Sequence, residues 1–411
     1  MCRNILIIFL IIIPLIKNNA DDFVIKSLRV YSSLSEISFP IIDKSDSSKK
    51  TITIEFDVQG NYAPALNIIF KFCDKDWQPY ENIFLANIGY NTEYNLWLEK
   101  LPLRVTDARY HYTGIFPNQN VTFPYSGKWK FFIVDSQNPD KVYGEGKFFV
   151  VIPEVKLNIS ITKNRMENVI PEIAALGRTI TIFTSFTLPD TLFESNIQLV
   201  EIIENKKISY PIRIDKTKLT EQNYYEWNGS NKFLFIAKDI KPGNEYRQTD
   251  LRDINRFNQK NVNAQYDGIE VSNFFKKRNR DLNGASILTN YKNDYAEYLN
   301  VTFKIRPPEN ITSSVFLVGD FNNWQVLPDY ELYDDEGLLN LTIELKRGIY
   351  DYQYVTADKI NEEIKNINWY VLEGNFWETE NDYHIFLYYK SPEKGGYDKI
   401  IGYKKINSGG L

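Results

Sequence analysis

The sequence predicts an all-β protein of tandem β-sandwich domains with few helices, and three observations carry that expectation. Apolar and polar residues alternate at a period of two in one segment after another, as strands with one buried face require. Tyr (28) and Phe (26) dominate the aromatics, and with abundant Ile, Val and Thr they suit pleated, half-buried surfaces. Beyond residues 1–20, no long stretch keeps a 3.6-residue period. With 411 residues, 43% of them apolar, the chain can fill several cores at roughly 100–200 residues each.

Residues 1–20 stand apart. Arg3 precedes an apolar run from Ile5 to Ile16, and Lys17-Asn18-Asn19-Ala20 leads into Asp21-Asp22. That is the pattern of a secretory signal peptide, with cleavage expected after Ala20. The run is short of the ~20 residues that span a bilayer, so the mature chain is expected to have no transmembrane segment. Cys2 would leave with the leader and Cys73 remain. No intramolecular disulfide could then form, and stability must come from buried cores.

Thr51 to Val58 is the clearest strand, with Ile52, Ile54, Phe56 and Val58 on one face. Leu66 to Phe72 and Lys128 to Asp135 follow, and Tyr143-Gly144-Glu145-Gly146 reads as a turn before a strand from Lys147 to Ile152. Pro153 closes this N-terminal domain, residues 21–152. A second β domain, residues 153–295, takes strands at Val155 to Thr162, Thr179 to Phe186, Ile197 to Ile203, Ile208 to Ile214 and Lys232 to Ile236. It ends in an irregular polar stretch from Asp250 to Asp294. A third, residues 296–411, takes Tyr298 to Ile305, Ser314 to Val318, Leu338 to Leu345, Tyr350 to Ala357 and Tyr383 to Tyr389. Short strands about ten residues apart, joined by polar turns, fit sandwiches.

The balance of 48 basic and 53 acidic residues argues against nucleic acid as a partner, which calls for a concentrated basic surface. The one basic cluster, Lys276-Lys277-Arg278-Asn279-Arg280, reads as a solvated loop. Two histidines, His111 and His384, lie far apart with no companion at metal-binding spacing. Cys73 ends an apolar strand and reads as a buried small hydrophobe. Asp334-Asp335-Glu336 before Gly337 reads as an exposed hairpin turn, although a pair of carboxylates could in principle hydrolyse a glycan. No constellation amounts to a catalytic site, no cofactor is called for, and the chain is expected not to be an enzyme.

Two stretches carry family features. The first begins with Ile25-Lys-Ser-Leu-Arg-Val-Tyr31 and Phe39-Pro40-Ile41-Ile42. Cys73-Asp-Lys-Asp-Trp77 with Pro79, Phe116-Pro-Asn-Gln-Asn120, Ser126-Gly127 and Phe149-Val-Val-Ile-Pro153 follow in order. Pro242-Gly-Asn-Glu-Tyr-Arg247 with Asp250-Leu-Arg252 completes the set. This series resembles the type IX secretion system plug protein family. The second, Val315-Phe-Leu-Val-Gly-Asp-Phe-Asn-Asn-Trp324 with Gly348-Ile-Tyr-Asp-Tyr-Gln-Tyr354, is similar to the early-set, glycogen-binding-like immunoglobulin-like module. The sandwiches are therefore expected to be immunoglobulin-like.

The plug resemblance implies a non-catalytic periplasmic protein on the periplasmic face of the outer membrane. There it would dock on the translocon barrel of the secretion system and close its opening. No residue is assigned to that contact by the sequence. The early-set resemblance implies an alternative, a glycan-binding protein in which Trp324, with Trp369 or Trp377, forms a stacking platform. The structural reading of Trp324 is that it caps a sandwich edge.

Overall fold

The computed structural model describes residues 23–33, 35–166, 177–265, 268–272, 281–361 and 363–409. The leader at 1–20, the islands Phe274-Phe275 and the basic cluster at 276–280 lie outside the described residues. Within them the regular structure is almost wholly strand, with short 3-10 turns and no α-helix. Among the described residues no helix is long and apolar enough to cross a membrane.

Six sheets form three sandwiches. In the first, one sheet orders Phe23–Ser32, Ile52–Gly60, Tyr110–Phe116 and Glu99–Lys100. It faces a sheet of Ile41–Asp43, Val142–Val151, Gly127–Asp135, Leu66–Cys73 and Thr92–Glu93. The alternation read at Thr51 to Val58 is realised: Ile52, Ile54, Phe56 and Val58 all enter the core, against Phe70, Trp129 and Phe148. The expected turn at 143–146 is instead the start of the long strand Val142–Val151. Gly146 lies in it because a Cβ there would come within 2.3 Å of the Phe131 ring. The glycine makes room for an aromatic side chain and turns nothing.

The second sandwich pairs a sheet of Asn158–Arg165, Arg178–Thr187, Lys232–Ile240 and Asn223–Trp227 with one of Ile212–Asp215, Ile197–Glu204, Asp382–Ser391 and Tyr397–Asn407. Its last two strands come from the end of the chain, so the sheets run across the boundary drawn at 295. Tyr383, Ile385, Leu387 and Tyr389 fill the second core. The alternate Phe386 and Tyr388 face the first sandwich. A strand that is apolar on both faces belongs between two layers.

The third sandwich begins at Arg247. Arg247–Asp250, Ser286–Leu288, Ser314–Gly319 and Glu363–Asn368 all pair with the thirteen-residue strand Gly348–Ile360. The opposite sheet orders Asn261–Asn263, Tyr298–Arg306, Leu338–Lys346 and Tyr333–Asp335, with Glu270–Val271 added in parallel on Tyr298–Arg306. The polar stretch from Asp250 to Asp294 therefore supplies short strands to this third body. Strands of two or three residues are too brief to show alternation, which is why the stretch reads as irregular.

Candidate functional site

Both histidines are buried in strands. His111 Nδ1 lies 2.6 Å from Asp57 Oδ1 and its Nε2 2.7 Å from Thr113 Oγ1. His384 stacks on Phe39 at 3.9 Å between ring centroids, with Nδ1 2.9 Å from the Tyr403 hydroxyl. Burial pushes the Cys73 thiol up to about 12, far from a nucleophile's range. Asp334 to Gly337 form an exposed hairpin turn in which the Gly337 N–H donates to Asp334 Oδ1 at 2.7 Å. A cavity of about 340 Å³ where the sandwiches meet has Asp281 and Asp382 in its wall. Asp281 accepts the Tyr246 and Asn283 N–H groups, and Asp382 pairs with Lys405 at 2.8 Å and accepts the amides of Asn283 and Asn407. Both carboxylates are thus engaged in holding the fold. Among the described residues no group of three or more His, Cys, Asp or Glu could hold a metal.

The three tryptophans do not make a platform. Trp324 is 0% exposed. Its ring packs on Tyr246 with centroids 4.4 Å apart, and its Nε1–H donates to the Gly284 carbonyl at 2.7 Å. Sugar stacking needs an open ring face, and Trp324 has none, so it cannot serve the role the early-set resemblance implied. Trp369 packs edge-on against Tyr210 in the same cluster. Trp377 packs on the second core and donates to the Thr179 carbonyl at 3.0 Å.

Most of the family-like motifs lie where one sandwich locks to another. Trp77, Phe39, Ile41, Phe149 and Val151 of the first body meet Leu199, Phe386 and Tyr388 of the second in a single apolar cluster. Around it, Lys128 pairs with Glu201 at 2.9 Å and donates to the Lys75 carbonyl at 2.7 Å. Arg213 bridges Glu201 at 2.8 Å and Asp76 at 2.5 Å, and the Lys75 N–H donates to Asp398 at 2.9 Å. The Ser126 hydroxyl donates to the Ile400 carbonyl at 2.5 Å.

Between the first and third bodies, buried Asp57 accepts from Lys346 at 2.7 Å and from the Tyr298 hydroxyl at 2.8 Å, besides its contact with His111. Burial raises the Asp57 pKa, but the His111 hydrogen bond and the Lys346 charge outweigh it and hold the carboxyl below its ordinary range. Between the second and third, Asn244 donates to the Glu373 carbonyl at 2.8 Å. Asn205 donates to the Tyr246 hydroxyl at 3.0 Å, and Arg247 anchors the string in the third body by pairing with Glu270 at 2.8 Å and Glu373 at 2.9 Å. The string from Pro242 to Arg247 is a joint, and its polar residues are the ones that close it.

One motif lies elsewhere. Asn118 and Asn120 of Phe116-Pro-Asn-Gln-Asn120 donate to Glu93 at 2.9 Å and 3.3 Å. Asn87 Nδ2 donates to the Thr122 carbonyl at 2.8 Å. These bonds pin the segment 79–98, which runs along the free side of Leu66–Cys73: the Phe70 N–H donates to the Asn91 carbonyl, and the Leu96 N–H to that of Leu66. Leu85 and Leu96 are buried anchors in the first core. Ile83, Phe84, Ile88, Tyr90, Tyr94 and Trp97 stay between 55% and 82% exposed. Reading the sequence for strand alternation passes over this segment. The usable signal is its apolar density without a single Lys or Arg from Pro79 to Leu98.

A family model described as type 9 secretion system plug protein 1st domain matches residues 25–152. The match covers the first sandwich from Ile25, the third residue of its first strand. Residues 25–152 are similar to a plug protein first domain. The crystal structure of a hypothetical protein from Parabacteroides merdae ATCC 43184 aligns with TM-score 0.75 at 18% identity, covering 93% of this chain and 97% of that one. At that identity the likeness shows the fold. A 1.5-MDa bacterial ice-binding adhesin aligns at TM-score 0.16 and 7% identity, over 94% of this chain and 98% of that chain, too low for a shared fold. No curated protein matches the chain.

Proposed function

We propose that this protein is a non-catalytic plug component of the type 9 secretion system, docking from the periplasm on the outer-membrane translocon barrel and closing its opening. The match of residues 25–152 to the plug first domain carries the reading. The physical character of the chain supports it. Obstructing a pore takes a stiff body and a complementary surface, with no reactive group. Three sandwiches joined by apolar seams and buried ion pairs supply the stiffness, and an exposed aromatic edge on the matched domain supplies surface. Release needs only a cargo or shuttle protein that favours the unplugged translocon, since differential affinity is sufficient to shift the equilibrium.

The test is affinity isolation of the tagged mature chain, in mild detergent, from a bacterium carrying the secretion system. The giant outer-membrane barrel is expected to co-purify, and its absence from the isolate would remove the reading's support.

A further inference from the structure

We propose that the edge from Ile83 to Trp97 is the docking face, and that its occupant is a folded protein surface with apolar sockets and a cationic rim. This rests on the plug reading and names the part of the chain that does the work.

Four properties of this edge favour that occupant. The first is residue type. Phe84, Tyr90, Tyr94 and Trp97 are exposed, and aromatics of this kind anchor protein interfaces. The second is area. At ~150–250 Å² per aromatic side chain, exposures of 55% to 82% leave on the order of 500 Å² of ring surface open to a partner. A standard interface takes about 800 Å² from each side, so this edge supplies the larger share.

The third is charge. The segment Pro79 to Leu98 contains Glu81 and Glu93 and no cation. Of the lysines beside it, Lys71 lies over Phe132 at 5.4 Å and Lys394 over Tyr125 at 5.2 Å, and Lys100 follows Glu99 just past the segment. A membrane surface with anionic lipid attracts apolar edges rich in Lys and Arg, which is the opposite of this one. An acidic, amide-rich border complements a cationic protein rim.

The fourth is rigidity. The exposed groups alternate with buried anchors and with side-chain-to-backbone hydrogen bonds, so little conformational freedom is left to lose on docking. An ordinary surface loop with so many open apolar groups would be a liability. Here the chain holds them out on a fixed frame.

The experiment uses the full mature chain, tagged, with Trp97→Ala combined with Tyr94→Ala. Both side chains are exposed, so the variant should melt with the wild type. Wild type is expected to retain the barrel and the variant to lose it by about tenfold or more. Phe193→Ala and Trp227→Ala, exposed apolar changes on the second sandwich, are expected to leave retention unchanged. Retention by the Trp97/Tyr94 variant equal to wild type would overturn this docking face while leaving the plug reading intact. Failure of the wild type to retain the barrel would overturn both. Two further outcomes overturn the face: variant-sensitive binding to vesicles of neutral and anionic phospholipid with barrel retention unchanged, or loss in the variant of a dimer seen by sedimentation.

Discussion

Lys128 of the first sandwich sets its ammonium 2.9 Å from the Glu201 carboxylate of the second, with both side chains withdrawn from solvent. Glu201 also accepts from Arg213 at 2.8 Å and from the Tyr388 hydroxyl at 3.0 Å. The ammonium lies 4.8 Å from the Trp77 ring centroid. Burial pushes the Lys128 pKa down and the Glu201 charge opposes it. Such a pair costs much to desolvate, and removing one partner strands the other. Glu201→Gln is therefore expected to cost about 3–5 kcal/mol, read by urea denaturation. Lys128→Met with Glu201→Leu should recover most of that loss. A single variant as stable as wild type would mean that the seam is held by its apolar contacts alone.

Trp324 has become a fastener between the second and third bodies. It packs in one cluster with Tyr246, Phe316 and Val355, and Val326 beside it accepts no solvent role, its N–H donating to the Tyr210 hydroxyl at 3.0 Å. Trp324→Ala should cost about 3–5 kcal/mol, as large-to-small changes of buried Trp do, and lower the melting temperature by several degrees. Unchanged stability with loss of retention on immobilised polysaccharide would contradict the burial and revive the stacking reading.

The strand pattern was legible because alternation is a local property. Ile52, Ile54, Phe56 and Val58 announce one buried face, and the fold uses that face. The apolar runs Phe148-Phe149-Val150-Val151 and His384-Ile385-Phe386-Leu387-Tyr388 carried further information, since both faces of each are buried, one in a sandwich core and one in the seam. Which layers they lie between depends on partners far away in sequence, and so does the return of Asp382–Ser391 to the second body. Trp324 misleads for the same reason. Its local motif is that of a sugar-binding edge, and what closes over it comes from Gly284 and Tyr246. The aromatic edge at 83–97 has no period at all, because it is held by a few backbone bonds to Leu66 and Phe70 and by side-chain bonds of Asn87, Asn118 and Asn120 rather than by a full strand ladder.

His384 gives stability a pH dependence whose sign can be worked out. Burial, with Lys405 nearby, pulls its folded pKa down to about 3, whereas an unfolded histidine titrates near ~6.5. Below ~6.5 the unfolded chain takes a proton that the folded chain refuses, so stability falls as pH drops, by up to ~1.4 kcal/mol per pH unit. Asp351, raised to about 7 by burial and by Asp281, contributes a slope of opposite sign. The comparison must therefore be with a variant. His384→Gln should show a smaller loss of stability than wild type between pH 6.5 and 4, whatever its stability at pH 7. Parallel profiles for the two proteins would show that His384 is protonated in the fold.

Gly146 tests the packing of the first core. The 2.3 Å approach of a built Cβ to the Phe131 ring leaves no room for alanine unless Phe131 moves. Gly146→Ala is expected to cost about 1–3 kcal/mol by overpacking, and Phe131→Leu in the same chain should return part of it. An alanine variant with the wild-type denaturation midpoint would show that the ring has space to turn aside.

The return of the chain's end makes the strongest demand. A fragment of residues 153–295 lacks two of the four strands in one sheet of its own sandwich. With them go Tyr383, Ile385, Leu387, Tyr389 and Ile401 from the core. At about 1.5–3 kcal/mol for each buried side chain, the deficit is on the order of 10 kcal/mol, comparable to the ~5–15 kcal/mol that holds a whole domain folded. The fragment should be unfolded, with collapsed NMR dispersion and no near-UV circular dichroism. A chain ending at residue 381 should keep the first sandwich's signals and lose the second's, because Phe386, Tyr388 and Ile400 leave the seam as well. Supplying residues 382–409 as a separate peptide should bring the second sandwich's signals back. A well-dispersed spectrum from residues 153–295 alone would mean that the last two strands are an addition to a sandwich already complete.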